Sequence, residues 1–157
     1  MKRLMLLIPM ALAAAMAQPR CSIMDLKGTY AVSYSGWVGV AMAGAPPPVY
    51  ATIFGVVSIG YDSSINGGAT LTVAGVGATD YVVPGTVTLN DDCTGKLNLT
   101  PYPKGNPKAA GNETDRFVFD MNTKTIMLTI VANANGVASA SLGSWKQISP
   151  QPNAASW

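Results

Sequence analysis

The chain has no histidine, two cysteines and few charges: Lys and Arg number 10, Asp and Glu 8, and together they make up 11% of the 157 residues. An average soluble domain is about 25% charged. The missing imidazole excludes the commonest designs for catalysis and metal binding. Ser-His-Asp and Cys-His chemistry both need a base poised near neutral pH, and most zinc sites use imidazole ligands. A phosphate cradle is lacking too, because Gly75-Val76-Gly77 has neither a third glycine nor a following helical pattern. No apolar run reaches the roughly 20 residues that a membrane-spanning helix needs.

What is present begins with an export signal. Met1 to Ala17 contains Lys2-Arg3, an apolar run from Leu4 to Ala14, and Ala15-Met16-Ala17 as a small-x-small cleavage site. A lipidation signal does not fit, since Gln18-Pro19-Arg20 precedes Cys21. Cleavage leaves about 140 residues, enough for one domain. It also removes Lys2 and Arg3, so the formal charge of +2 becomes neutral. A neutral surface argues against nucleic acid and other charged polymers as partners. The expected organisation is a signal peptide over 1–17, a β-barrel domain over 18–147 and a flexible tail over 148–157. The expected location is secreted or periplasmic, in a bacterium. In such an oxidising compartment two cysteines default to one disulfide, Cys21–Cys93. Closing a loop of about 70 residues stabilises by roughly 4 kcal/mol on the chain-entropy view.

Beyond the signal the apolar pattern has period two and is punctuated by Gly, Asn and Pro. Leu26, Tyr30, Val32 and Tyr34 share one face, with Lys27, Thr29 and Ser33 on the other. Further strands are read at Val49 to Ile59, Ala69 to Val73, Val83 to Leu89 and around Leu97 and Leu99. The last three centre on Phe117, Phe119 and Met121, on Ile126, Leu128 and Ile130, and on the weaker Val137 to Trp145. Asn66-Gly67-Gly68, Asn122-Thr123 and Asn135-Gly136 read as tight hairpin turns. The expected fold is all-β: a single eight-stranded antiparallel up-and-down barrel, with a β-sandwich as the alternative. Eight strands enclose an interior that side chains fill or that holds one small ligand.

In such a meander the connections after odd strands gather at one end. The two longest, Gly36 to Pro48 and Pro101 to Asn112, fall there and ring an open mouth. Cys21 and Cys93 fall at the other end. The first mouth loop is uncharged and contains Trp37 and Met42, which reads as a lid over an apolar cavity, as a contact surface for a partner, or as a rim plug that buries Trp37. Candidate ligand-binding residues at the mouth are Tyr34, Trp37, Met42, Tyr81, Tyr102 and Arg116. Asp80, Glu113, Asp115 and Arg116 are the ionisable groups nearby, and a carboxylate buried among them would become a general base if desolvation raised its pKa. No catalytic residue is assigned. Asp62-Ser63-Ser64-Ile65-Asn66-Gly67 imitates the start of a calcium loop, but Val73 stands where the bidentate Glu belongs, so ordinary turn chemistry is expected. No metal and no cofactor are expected.

Two stretches together, Cys21 with Leu26-Lys27-Gly28-Thr29-Tyr30 and Gly85-Thr86-Val87 running on to Asp92-Cys93-Thr94-Gly95, resemble a loose group of exported bacterial proteins. More distantly the pattern is similar to small barrels of the lipocalin and allene-oxide-cyclase-like kind. That resemblance implies an apolar cavity and transfers no catalytic residue. The expected function is binding of a small apolar ligand at the open mouth, without redox or metal chemistry. Two alternatives stand beside it: a cofactor-free cyclase or isomerase working inside the barrel, and a structural subunit of a surface or assembly. No membrane span is expected, and the oligomeric state is left open.

Overall fold

The computed structural model describes residues 20–40, 47–133 and 137–152. The signal segment, Met42, the Asn135-Gly136 turn and residues 153–157 of the tail lie outside the described residues. A short helix α1 (Ile23–Leu26) leads into β1 (Gly28–Val40), β2 (Val49–Ile59), β3 (Ser64–Val73), β4 (Gly77–Val82) and β5 (Gly85–Leu89). Then follow β6 (Thr94–Leu99), β7 (Tyr102–Pro103), a 3-10 turn η1 (Pro107–Ala109), β8 (Glu113–Asp120), β9 (Thr125–Asn133) and β10 (Val137–Ser149).

Every pairing is antiparallel, and β1 bonds β2 along one edge and β10 along the other, so the sheet closes. The ten segments make eight staves. The β3 partners run from Val73↔Gly77 to Gly68↔Val82 and resume in the same register at Ile65↔Gly85, so β4 and β5 are one stave interrupted at Val83-Pro84. Proline has no amide donor, and the ladder breaks at that point without losing register. Likewise β6 and β7 share one register against β5 and β4 across Thr100-Pro101. The result is the closed eight-stranded barrel that the period-two pattern predicts.

Alternation sorts the side chains. Tyr30, Val32 and Tyr34 of β1 are buried inside, whereas Ala31, Ser33 and Ser35 are exposed. Phe117 and Phe119 point in, Arg116 and Val118 out. The base is densely filled: Leu26, Tyr30, Val57, Ile59, Ile65, Leu97, Ile126 and Trp145 form one buried cluster. Helix α1 closes this end, and the Tyr30 hydroxyl donates to the Leu26 carbonyl. Burying a large side chain of this kind stabilises by about 1.5–3 kcal/mol.

The turns at the base share one construction. Gly60 donates to the Ser64 carbonyl and Ser63 to the Gly60 carbonyl, with Ser63 at a φ of 66°. Asn90, Cys93 and Thr94 repeat the pattern, Cys93 having a φ of 67°. This is a type I turn followed by a left-handed residue, a common three-residue hairpin loop. Asp62 and Asp92 each accept from the backbone N–H and the hydroxyl of the residue two places on, Ser64 and Thr94. The Asp62 carboxylate that imitates a calcium ligand is therefore occupied by its own turn.

Asn66-Gly67-Gly68 is not a turn. These residues lie inside β3, opposite Val56 to Ser58. A Cβ on Gly67 would sit on the Val56 carbonyl and the Val57 backbone, so glycine here lets two staves approach closely. At the other end, β10 runs on to Ser149, and the Gln151 carbonyl accepts a bond from Thr29.

Cys21 and Cys93 are joined, with Cα atoms 5.1 Å apart across a sequence separation of 72. Cys21 N–H also donates to the Asp91 carbonyl, so the bond fastens the N-terminal segment to a base turn. Replacing both cysteines by serine is expected to lower stability by about 4 kcal/mol, measured by urea unfolding, with the circular dichroism of the barrel retained.

A polar cluster inside the barrel as the candidate functional site

The upper half of the interior differs from the base. Inward-facing Ile53, Leu71, Val73, Tyr81 and Glu113 are only half-buried, whereas their counterparts nearer the base are fully enclosed. Between the two zones lies a polar cluster. Glu113 and Asp115 alternate with Phe117 and Phe119 along β8, so both carboxyls occupy the inward register of an otherwise apolar face. Asp115 is completely buried at 0% exposure.

Three elements assemble around it. The β1 residue Tyr34 donates its hydroxyl to Asp115 Oδ2 at 3.1 Å, and the β10 residue Trp145 donates its Nε1–H to the Tyr34 oxygen at 3.0 Å. Tyr34 stands opposite Gly143 in the β1–β10 ladder. A Cβ on Gly143 would collide with the Tyr34 ring and with Leu128, so the glycine provides the space that lets the ring lie across β10 toward β8. The indole, phenol and carboxyl thus form a directed chain of donors ending on one carboxyl oxygen. The other oxygen, Asp115 Oδ1, is buried and receives no N–H or hydroxyl donor, and Asp115 is instead side-chain hydrogen-bonded to the neighbouring Glu113 carboxyl. A buried carboxyl left without a partner costs about 1–3 kcal/mol, and a proton held between the two acids avoids that cost.

Burial pushes the Asp115 pKa from 3.8 up to about 8, and the neighbouring Glu113 carboxyl pushes it the same way. The Tyr34 hydrogen bond opposes this only in part. Glu113 is also raised, by desolvation. Tyr34 is driven well upward by burial and then by the two carboxyls, so it remains a neutral phenol. At neutral pH Asp115 is mainly a protonated acid, able to donate as well as accept.

The candidates named from sequence divide between interior and wall. Tyr34 and Tyr81 face inward, Tyr81 packing against the core. Trp37 does not belong to a loop but continues β1 with outward parity, 56% exposed and edge-on to Tyr50 at 5.6 Å. Arg116 points outward between Lys96 and Thr129, because Asp115 and Phe117 take the inward register on either side. Tyr102 is half-buried opposite Val82. Asp80 sits on the outer face and accepts from the Thr70 hydroxyl at 2.7 Å. Trp145 was not named from sequence as a site residue, since its strand reads as weak and a buried indole reads as core. Among the described residues no group of three or more His, Cys, Asp or Glu is arranged to hold a metal ion, and no helix is long and apolar enough to cross a membrane. Comparison with protein-family models, with curated proteins and with solved structures finds no match.

The raised Asp115 pKa has a consequence for stability. Between about pH 4 and pH 8 the unfolded chain has lost this proton while the folded chain keeps it, so stability falls as pH rises through that window. The slope is at most about 1.4 kcal/mol per pH unit for one proton. Asp115→Asn is expected to flatten this slope and to raise stability relative to wild type above pH 8, as read from urea midpoints at pH 5, 7 and 9.

Proposed function

We propose that this chain is an exported barrel that binds a small, mostly apolar molecule through its open end, with the Asp115 cluster receiving the molecule's polar group. One observation carries the reading. The base of the interior is filled, inward Ile53, Leu71, Val73 and Tyr81 above it are only half-buried, and a buried carboxyl paired with a second acid lies between the two zones. Ligand sites are typically concave and apolar, with a few well-placed polar groups that set orientation. Half-buried Ile53, Leu71, Val73 and Tyr81 supply the apolar wall. The disulfide and the export signal in the sequence agree with a role outside the cytoplasm. The outer face mixes Thr, Ser, Asn, Lys and Arg with exposed Trp37, Phe54, Val118, Met127 and Leu142, while the inner face is mainly apolar.

Trp145 reports on the site directly. In a Trp37→Phe, Trp157→Phe background, its emission is expected to shift or quench when a matching ligand from a panel of lipids and metabolites enters. Native mass spectrometry of the same mixtures is expected to show a single bound molecule per chain. A barrel that retains nothing from the panel, with Trp145 unmoved throughout, contradicts the reading.

The buried acid also favours a second reading, a cofactor-free cyclase or isomerase. A carboxyl with a pKa of about 8 beside a neutral phenol is suited to proton transfer near neutral pH. The two readings separate on Asp115→Asn. A binding protein changes affinity only, whereas an enzyme keeps its ligand and loses turnover by about a hundredfold or more.

A further inference from the structure

We infer that the outer wall of the barrel holds a second binding site, for a single anionic amphiphile. Its charged end lies between Lys96 and Arg116, and its chain lies over Val118, Met127 and Leu142. The site stands apart from the interior and does not rest on the ligand-binding reading above. Lys96 of β6 and Arg116 of β8 are directly opposite in the ladder, and both are on the exposed face. Their neighbours on that face follow from the register. Thr88 and Thr129 lie across the adjoining strands, Thr94 and Asn98 along β6, and Thr114 and Val118 along β8. None of these is acidic, and among the described residues neither cation forms an ion pair. Asp115 adjoins Arg116 in sequence but takes the inward register. Like charges directly opposite on a sheet repel and destabilise it. A chain with only 11% charged residues thus carries an unbalanced cationic pair on one wall.

Beside the pair the wall is apolar. Val118 stands opposite Met127, one outward step along β8 from Arg116, and Leu142 is diagonal to Met127 on β10. The three are 49%, 53% and 72% exposed. Single exposed apolar side chains are ordinary, whereas three adjoining ones next to two cations make a patch with two distinct ends. The wall is also concave here. An open groove of about 1020 Å³ crosses β5, β6, β8, β9 and β10 and is lined by all five of these side chains. That is room for one small molecule. Charge and shape together then name the occupant. A guanidinium and an ammonium whose Cβ atoms are about 5 Å apart clamp a compact anion, the first through two parallel bonds and the second as a point charge. An alkyl chain on that anion covers the exposed apolar side chains. A cationic amphiphile is repelled, and an alcohol leaves the pair unbalanced. A groove of this size admits one molecule rather than the flat surface of a bilayer.

The test is 13C methyl NMR of the disulfide-intact mature chain labelled at methionine, with Met127 assigned through Met127→Leu. Octyl phosphate, below its micelle concentration, is compared with 1-octanol, octyltrimethylammonium and inorganic phosphate. Octyl phosphate is expected to move the Met127 methyl saturably and to bind about tenfold or more tightly than the other three. Lys96→Gln and, separately, Arg116→Gln are expected to weaken it about tenfold, and raised salt to weaken it in the wild type. Neither substitution is expected to lower the urea midpoint, since each relieves a like-charged pair, so lost affinity is not a lost fold. Equal binding by any of the other three probes, or an affinity that both variants leave unchanged, overturns the assignment. So does octyl phosphate that moves Trp145 emission while the Met127 methyl stays still, a result that favours the interior site instead. Vesicles of phosphatidylglycerol are expected to leave the protein in the supernatant on sedimentation. Co-sedimentation with them makes the occupant a membrane surface and overturns the single-molecule assignment. Failure of all four probes removes the outer site and leaves the interior reading standing.

Discussion

The ladder between β1 and β10, from Thr29↔Ser149 to Val40↔Val137, joins the two ends of the chain's strand order. Without it the sheet would be an open meander with two long edges, exposed to pairing with other chains. With it, every stave has a partner on both sides, and inside and outside become fixed for every residue. The same ladder sets Tyr34 opposite Gly143 and Val32 opposite Trp145, so closure also brings the phenol and indole together. The polar cluster is in this sense a product of closure: its donors come from the two strands that meet last in sequence, and its acceptor lies on β8.

The two ends of the barrel do different work. At the base, α1, the disulfide and three Asp-capped turns surround an interior filled with large apolar side chains. Such packing fixes one arrangement and leaves no space for a ligand. Toward the mouth the inward side chains lose their cover while the carboxyls enter the inner face. The largest side chains are packed at the base, and the costly group, a wholly buried acid paired with a second acid, is placed at the boundary.

Much of this was legible in the sequence. The period-two pattern gave the eight staves, and counting connections placed Cys21 and Cys93 at one end, where they are bonded. Asn66-Gly67-Gly68 misled, because glycine serves close strand approach as readily as a turn, and only the pairing with β2 distinguishes the two. The site was half legible. Extending the Phe117 and Phe119 alternation upstream by two and four residues puts Asp115 and Glu113 on the inner face, and the same parity puts Arg116 outside. Continuing Tyr30, Val32 and Tyr34 to Gly36 likewise puts Trp37 outside. Sequence alone did not reveal that Trp145 would reach Tyr34, or that Asp115 would be wholly covered. Both depend on which staves face each other across the barrel, a relation that no local pattern encodes.

The proposed site depends on Asp115 being a buried, mainly protonated acid at neutral pH. Its protonation is read most directly from the side-chain carboxyl carbon by 13C NMR of Asp-labelled protein, assigned by comparison with Asp115→Asn and followed from pH 3 to pH 10. The expected Asp115 resonance titrates near pH 8, far above the exposed Asp62 and Asp92, which their turn hydrogen bonds hold below the ordinary value. An Asp115 resonance that titrates near pH 4 with the exposed carboxyls would contradict it.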